Sequence, residues 1–193
     1  ERILQLKDSH EKVDYLTFVP DGEPTLDINL GKTIDLLKPL GIKIAVITNS
    51  SMLWDEKVRN DLMNADWVSV KIDTVNKVIW QKVDRPNGKL NLRKILTGIQ
   101  TFANNFTGEL VTETMLVKNI NDEIDSLTST AEFIKQLTPK KSYILVPTRP
   151  PAEEFVEAPS EETLNLAYQI FHDLMDEVEL LAYDEGTNFT FSS

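Results

Sequence analysis

Short β-branched runs alternate with longer stretches of helical periodicity along nearly the whole chain. This alternation predicts a parallel sheet with helices packed outside it. A closed eight-stranded barrel typically needs about 250 residues, and this chain has 193. We therefore expect a single α/β domain over residues 1–193, an open or truncated partial (β/α) barrel. Strands are predicted at 15–19, 42–48, 67–72, 110–117, 142–146 and 178–183, and helices at 28–40, 53–65, 75–83, 90–106, 122–137 and 160–177.

Composition excludes several kinds of site within these residues. The sequence has no cysteine, and its two histidines, His10 and His172, lie far apart. Disulfides, thiolate metal sites and a cysteine nucleophile are therefore excluded, and we predict no metal ligands in this chain. The net charge of −11 disfavours nucleic acid and anionic membranes as partners. The sequence has no apolar run of about 18 residues, so it predicts no membrane span.

Polar side chains follow the predicted strands at the points where those strands end. Ligands of parallel α/β folds bind at the carboxyl ends of the strands, so we expect these side chains to form one rim. They are Gly22, Glu23 and Pro24 after the first strand, Thr48 and Asn49 after the second, Ser69, Lys71 and Asp73 on one face of the third, Glu113 within the fourth, and Arg149 after the fifth.

Most of these groups also have a purely structural interpretation. Gly22 and Pro24 fit a simple turn between a strand and a helix. The segment 48–51 fits the cap of the next helix. Lys71 and Asp73 fit an internal ion pair, because buried charges are costly unless they are paired.

Glu113 and Arg149 remain open in the same way. Glu113 either points into a polar barrel interior or balances Lys71 or Arg149. Arg149 is either a clamp for a carboxylate or phosphate, which guanidinium binds through two hydrogen bonds, or a surface side chain in a loop.

Two of these segments resemble motifs of radical S-adenosylmethionine (SAM) enzymes. Gly22-Glu23-Pro24-Thr25-Leu26, directly after an apolar strand, resembles their Gly-Gly-Glu-Pro segment, with Asp21 in place of the first glycine. Ile47-Thr48-Asn49-Ser50 resembles their Thr-Asn-Gly strand end, with Ser50 in place of the glycine.

Three later segments extend this resemblance in the same order. Val68-Ser69-Val70-Lys71-Ile72-Asp73 resembles the strand whose polar residues contact the cofactor. Residues 114–122, TMLVKNIND, resemble a strand and loop of the family with the pattern vkgiND. Residues 143–152, YILVPTRPPA, support a likeness to the Fe–S oxidoreductase subgroup that includes wyosine-type tRNA-modifying enzymes.

The resemblance implies a cytoplasmic oxidoreductase with a TIM-barrel-like core that binds SAM and a [4Fe–4S] cluster. Such an enzyme cleaves SAM reductively to a 5′-deoxyadenosyl radical, with an electron donor such as flavodoxin or ferredoxin. The substrate implied is a tRNA, a protein or a small molecule. By resemblance, Gly22, Glu23 and Pro24 hold the methionine amino group, Thr48 and Asn49 line the cofactor pocket, Ser69, Lys71 and Asp73 meet its carboxylate or ribose, and Glu113 and Arg149 contact substrate or cofactor.

One feature of the family is missing from these residues. The Cys-x3-Cys-x2-Cys loop that binds the cluster is absent, and the resemblance places it upstream of Asp14. We therefore expect a fragment of a longer protein, inactive by itself. The alternatives are a SAM-binding module that has lost its cluster, and a (β/α) barrel enzyme of the lyase or aldolase type. The latter would use Lys71 or Glu113 as an acid–base group.

Overall fold

The computed structural model describes residues 13–19, 22–148, 153 and 155–182. Within this part of the chain, six parallel strands form one sheet whose spatial order is the order of the sequence. The first and last strands are the two edges, so the sheet is open and the predicted partial (β/α) barrel is confirmed. The strands are β1 (Tyr15–Phe18), β2 (Lys43–Thr48), β3 (Trp67–Lys71), β4 (Glu109–Met115), β5 (Lys141–Leu145) and β6 (Val178–Leu181).

Helices connect the successive strands, and the connection between β3 and β4 contains two of them. They are α1 (Leu30–Leu37), α2 (Glu56–Leu62), α3 (Lys77–Val83), α4 (Leu92–Asn105), α5 (Ile124–Gln136) and α6 (Glu161–His172), with short 3-10 turns at Pro24–Leu26 and Lys38–Leu40. Helix α2 begins later than predicted, because the side chain of Asp55 caps it by accepting a 2.9 Å hydrogen bond from the backbone N–H of Lys57.

The core lies between one face of the sheet and the helices. Val46, Val68 and Val70 on this face are fully buried, as are Ile34 of α1 and Phe102 of α4. Burying an aliphatic or aromatic side chain of this size contributes about 1.5–3 kcal/mol to stability. Successive side chains of a strand point to opposite faces, so this packing fixes which residues occupy the other face.

The opposite face of the sheet is polar in its centre. Ser69 and Lys71 alternate with the core valines of β3, and the register pairs Lys71 with Glu113 and Glu113 with Tyr143. Polar side chains from β3, β4 and β5 therefore stand side by side on the face that does not carry the apolar core. No helix in the described ranges is both long and apolar enough to cross a bilayer.

Candidate functional site

Glu23 joins the ends of the first two strands. Its Oε1 accepts hydrogen bonds from the Thr48 hydroxyl at 2.6 Å and from the backbone N–H and hydroxyl of Thr25 at 3.0 and 2.6 Å. Its Oε2 accepts a 2.7 Å bond from the backbone N–H of Asn49. A carboxylate accepts about four hydrogen bonds, so that of Glu23 is committed to the protein. The predicted groups at the ends of β1 and β2 thus form one structural unit.

Gly22 leaves open space beside this unit. A Cβ placed on Gly22 would meet no atom within 4 Å among the described residues. The following Pro24 is buried and begins the 3-10 turn that Glu23 caps. An incoming group can therefore approach the backbone at Gly22 closely while Glu23 holds the turn in place.

Ser50 has the backbone conformation that favours glycine. Its φ is 66°, which costs an L-residue roughly 1–2 kcal/mol. The residue is 1% exposed, and its Oγ has no hydrogen-bond partner within the described structure. The glycine in the resembling motif thus has a physical reason, and the serine that replaces it brings a buried, unpaired hydroxyl to this position.

Lys71 lies between two carboxylates. Its Nζ is 2.6 Å from Asp73 Oδ2 and 3.5 Å from Asp84 Oδ1. Burial acts to lower the pKa of Lys71, but the two carboxylates outweigh it and hold that pKa above its usual range. Burial and the nearby Asp73 raise the pKa of Asp84 to about 7, with Lys71 opposing them. The internal ion pair expected between Lys71 and Asp73 is present, with a third member.

Sequence reasoning missed Asp84. It opens the segment Asp84-Arg85-Pro86-Asn87-Gly88, whose proline and glycine indicate a turn. In the structure Asp84 is the C-cap of α3, and the fold returns it to Lys71. Its spacing from Lys71 in sequence matches no familiar pattern, so only the three-dimensional packing of α3 on the end of β3 could have shown it.

The loop after β4 is fastened to the end of β3. The amide nitrogen of Asn121, a 1% exposed residue, donates to the carbonyls of Asp73 and Met115 at 2.9 and 2.8 Å. Asp73 Oδ1 in turn accepts a 2.8 Å bond from the backbone N–H of Met115. Asn119 has a φ of 59°, a left-handed conformation that asparagine tolerates. Asn121, the asparagine of the Asn-Asp pair in the vkgiND-like segment, therefore fixes two strand ends, a role the sequence did not indicate.

Ser69 and Glu113 form a separate pair on the polar face of the sheet. The Ser69 hydroxyl donates to Glu113 Oε1 at 2.5 Å. Within the described residues, Lys71 forms its ion pairs with Asp73 and Asp84, and the Glu113 carboxylate accepts its hydrogen bond from Ser69. Arg149 lies outside the described residues, and its place in the site stays a prediction.

A cleft of about 290 Å³ opens at the ends of β2 and β3, and Ser69 and Glu113 are not among its lining residues. Its lining combines the polar residues Asn49, Ser50, Lys71, Asp73 and Asp84 with the apolar Leu92, Ile95 and Ile99 of α4. The structure thus brings the predicted Asn49, Lys71 and Asp73 to one cleft. Glu23 and Thr48 do not line it, but Glu23 binds the backbone of Asn49, which does. A second cavity of about 800 Å³ lies at the amino-terminal ends of the strands, lined among others by Glu109, Thr138 and Asp176.

Residues 1–131 match the model of the Radical SAM superfamily. The chain belongs to the radical SAM superfamily. It is also 47% identical over 194 residues to a UPF0026 protein of Methanocaldococcus jannaschii, a match that covers 100% of this chain and 60% of that relative. The radical SAM chain described here therefore spans about three fifths of the length of this curated relative.

Solved structures confirm the fold of this radical SAM chain. A domain of pyruvate-formate lyase-activating enzyme from Bacteroides vulgatus aligns with a TM-score of 0.67 at 21% identity, covering 86% of this chain and 98% of that one. A radical SAM methyltransferase from Sphaerobacter thermophilus aligns with a TM-score of 0.72 at 13% identity, covering 93% and 54%. At these identities the likeness concerns the fold alone.

The two cofactors of the radical SAM superfamily fit this chain differently. The cleft offers SAM polar groups, among them Ser50, whose buried hydroxyl has no partner within the described residues, and apolar side chains of α4, whereas Gly22 is not part of its lining. These 193 residues provide no thiolate ligand for the [4Fe–4S] cluster, because they contain no cysteine. No group of three or more aspartate, glutamate or histidine side chains within the described ranges is arranged to hold a metal ion.

Proposed function

We propose that this chain forms the SAM-binding core of a radical SAM enzyme, with SAM in the cleft at the ends of β2 and β3. The observation that carries the proposal is the meeting of Asn49, Ser50, Lys71 and Asp73 in that cleft. In the whole protein, SAM and a [4Fe–4S] cluster would supply a 5′-deoxyadenosyl radical. That cleavage consumes an electron, for which we propose a donor such as flavodoxin or ferredoxin.

The end of β1 would hold the methionine amino group. The open space at Gly22 lets an ammonium approach the backbone carbonyl oxygens there. Glu23 would act as a positioning residue, because its carboxylate is occupied by Thr25, Thr48 and Asn49. Removing one of those charge-assisted bonds typically costs about 1.5–3 kcal/mol. A change at Glu23 should therefore affect ligand binding indirectly, by loosening the backbone at Thr25 and Asn49.

The end of β2 and the wall from α4 would hold the nucleoside. Asn49 Oδ1 accepts a 2.9 Å bond from the backbone N–H of Ser51, which leaves the amide NH₂ of Asn49 as a donor. The Ser50 hydroxyl is a buried group without a partner in the described structure, and such a group costs about 1–3 kcal/mol until a ligand pairs with it. Ile95 and Ile99 offer an apolar surface suited to a purine.

Lys71 would meet the methionine carboxylate as a cation. Its pKa lies above the usual range, so the amine stays protonated at neutral pH. A lysine that forms a Schiff base must instead be neutral. The aldolase-type alternative, in which Lys71 acts as an amine nucleophile, is therefore disfavoured by the two carboxylates beside it.

Calorimetric titration of the chain with SAM tests this proposal. Glu23→Gln should weaken SAM binding by about tenfold or more, because an amide cannot accept all the bonds that the carboxylate accepts. Glu109→Gln is the matched control, since Glu109 is exposed at the amino-terminal end of β4, whereas the cleft lies at the carboxyl ends of β2 and β3. Circular dichroism establishes that each variant is folded. A folded wild-type chain that does not bind SAM, or equal affinities for the wild type and Glu23→Gln, would overturn the proposal.

A further inference from the structure

We propose that Asp84 makes the cleft select for the positive sulfonium of SAM over the neutral thioether of S-adenosylhomocysteine. This inference rests on the proposed function and adds a specificity-determining residue to it. The two nucleosides differ by one methyl group and by the positive charge on sulfur. A site that binds both equally would gain nothing from the charge, whereas a site with surplus negative charge would favour the sulfonium.

The charges at the cleft do not balance. Asp73 and Asp84 carry two negative charges when ionised, and Lys71, which lies between them, carries one positive charge. The next residue, Arg85, does not supply the missing charge, because its guanidinium is ion-paired with Glu153. One negative charge therefore remains unmatched among these groups. A cationic ligand would neutralise it.

Asp84 is the carboxylate with capacity left for a ligand. Asp73 is closed to solvent, since its side chain is 0% exposed; Oδ1 accepts from Met115, and Oδ2 lies 2.6 Å from the Lys71 ammonium in an ionic contact without hydrogen-bond geometry. The Asp84 side chain is 23% exposed, and its distance to Lys71 is longer, at 3.5 Å. Both residues line the cleft, and of the two only Asp84 has a side chain that reaches solvent.

Two further observations point to a ligand at this charge. Ser50 lines the same cleft and is 1% exposed as a residue, and its hydroxyl has no hydrogen-bond partner within the described structure. Apolar side chains of α4 also line this cleft, namely Leu92, Ile95 and Ile99. An apolar wall strengthens Coulomb interactions relative to water, so an unmatched charge there discriminates between a cation and a neutral ligand.

The destabilised charge of Asp84 supports the same conclusion. Burial and Asp73 raise its pKa to about 7, so the empty cleft resists the second negative charge. A bound cation would relieve that resistance. At pH 8 Asp84 is therefore mostly ionised in the unliganded protein, and Lys71 alone does not balance the charges of Asp73 and Asp84.

The experiment compares the affinities of SAM and S-adenosylhomocysteine at pH 8 for the wild type and Asp84→Asn. We expect the preference for SAM to fall about tenfold in Asp84→Asn, a change equivalent to one pKa unit of interaction. Asp173→Asn is the matched control: Asp173 is likewise the C-cap of a helix, α6, but it is exposed and lies outside the cleft. The wild type at pH 5.5, where Asp84 is protonated, should lose the preference without any substitution.

The outcomes separate this inference from the function on which it rests. If SAM binds but Asp84→Asn and pH 5.5 both leave the preference unchanged, the inference is overturned and the proposed function stands. An equal loss of preference in Asp173→Asn would also overturn it. If neither nucleoside binds the folded wild type, the proposed function fails and the inference fails with it.

Discussion

The carboxylate of Glu23 accepts a 2.7 Å hydrogen bond from the backbone N–H of Asn49, 26 residues further along the chain. This contact ties the turn after β1 to the end of β2, where Asn49 lines the cleft. It also gives a physical reason why the Gly-Glu-Pro and Thr-Asn segments occur together, since the acid of the first supplies the acceptor for the backbone of the second. A change in either segment should therefore disturb the other.

The left-handed backbone at Ser50 predicts how substitutions there change stability. Ser50→Gly removes the cost of a positive φ and a buried unpaired hydroxyl, but it adds entropy to the unfolded chain. We expect its free energy of unfolding to equal or exceed that of the wild type by up to about 1 kcal/mol. Ser50→Val should lower it by more than about 1 kcal/mol, because a β-branched residue tolerates positive φ poorly. Urea unfolding measures both, and Ser51→Val is the control; a Ser50→Val variant as stable as Ser51→Val would contradict the account.

Gly98 in α4 is predicted to resist the usual helix-stabilising change to alanine. In an open helix position Gly→Ala gains about 0.8–1 kcal/mol. A Cβ on Gly98 would lie 2.1 Å from the carbonyl oxygen of Leu53, in the turn after β2. Overpacking of this kind costs about 1–3 kcal/mol, so Gly98→Ala should lower the melting temperature. Gly88→Ala, whose Cβ would meet nothing within 4 Å, should change it little. A stabilised Gly98→Ala would show that α4 does not pack this closely on the turn.

The raised pKa of Asp84 predicts a pH-dependent loss of stability. Its ordinary value of 3.8 applies to the unfolded chain and about 7 to the folded one. Between these values the folded state binds more protons, so the free energy of unfolding falls as the pH rises through this window. Asp84→Asn lacks this loss, and its stability relative to the wild type should rise between pH 4 and pH 7, by on the order of 2 kcal/mol.

Thermal unfolding of both proteins across this pH range measures the difference, in which other titrating groups largely cancel. Asp173→Asn should show a much flatter difference, because Asp173 is exposed. A wild type and Asp84→Asn whose difference in melting temperature does not change with pH would contradict the raised pKa.

The sequence carried enough information for the fold because its periodicities are local. Buried valines in β2 and β3 and the apolar faces of the helices are determined by spacing alone, and the six strands follow in sequence order. The predicted rim followed from a general rule, since the carboxyl ends of parallel strands lie on the same side of the sheet. For Asn49, Lys71 and Asp73 that rule was sufficient to predict that they meet.

The remaining contacts depend on the packing of loops, which spacing does not reveal. Asp84 reaches Lys71 only because α3 ends beside the end of β3. Asn121 joins two strand ends through carbonyl groups that belong to every residue type, so no side-chain pattern marks its partners. The unpaired hydroxyl of Ser50 depends on its neighbours in space. The contacts of these three residues can be identified only from the three-dimensional structure.

The most direct test of the central claim is the location of SAM on the chain, measured by NMR. Amide signals are assigned, and their shifts are followed as SAM is added. We predict that the amides of Asn49, Ser50 and Thr74 at the cleft shift with a common dissociation constant, while those of Glu109, Thr138 and Asp176 at the opposite cavity stay unchanged. Shifts confined to the opposite cavity, or no saturable shifts at all, would contradict the claim that the ends of β2 and β3 form the SAM site.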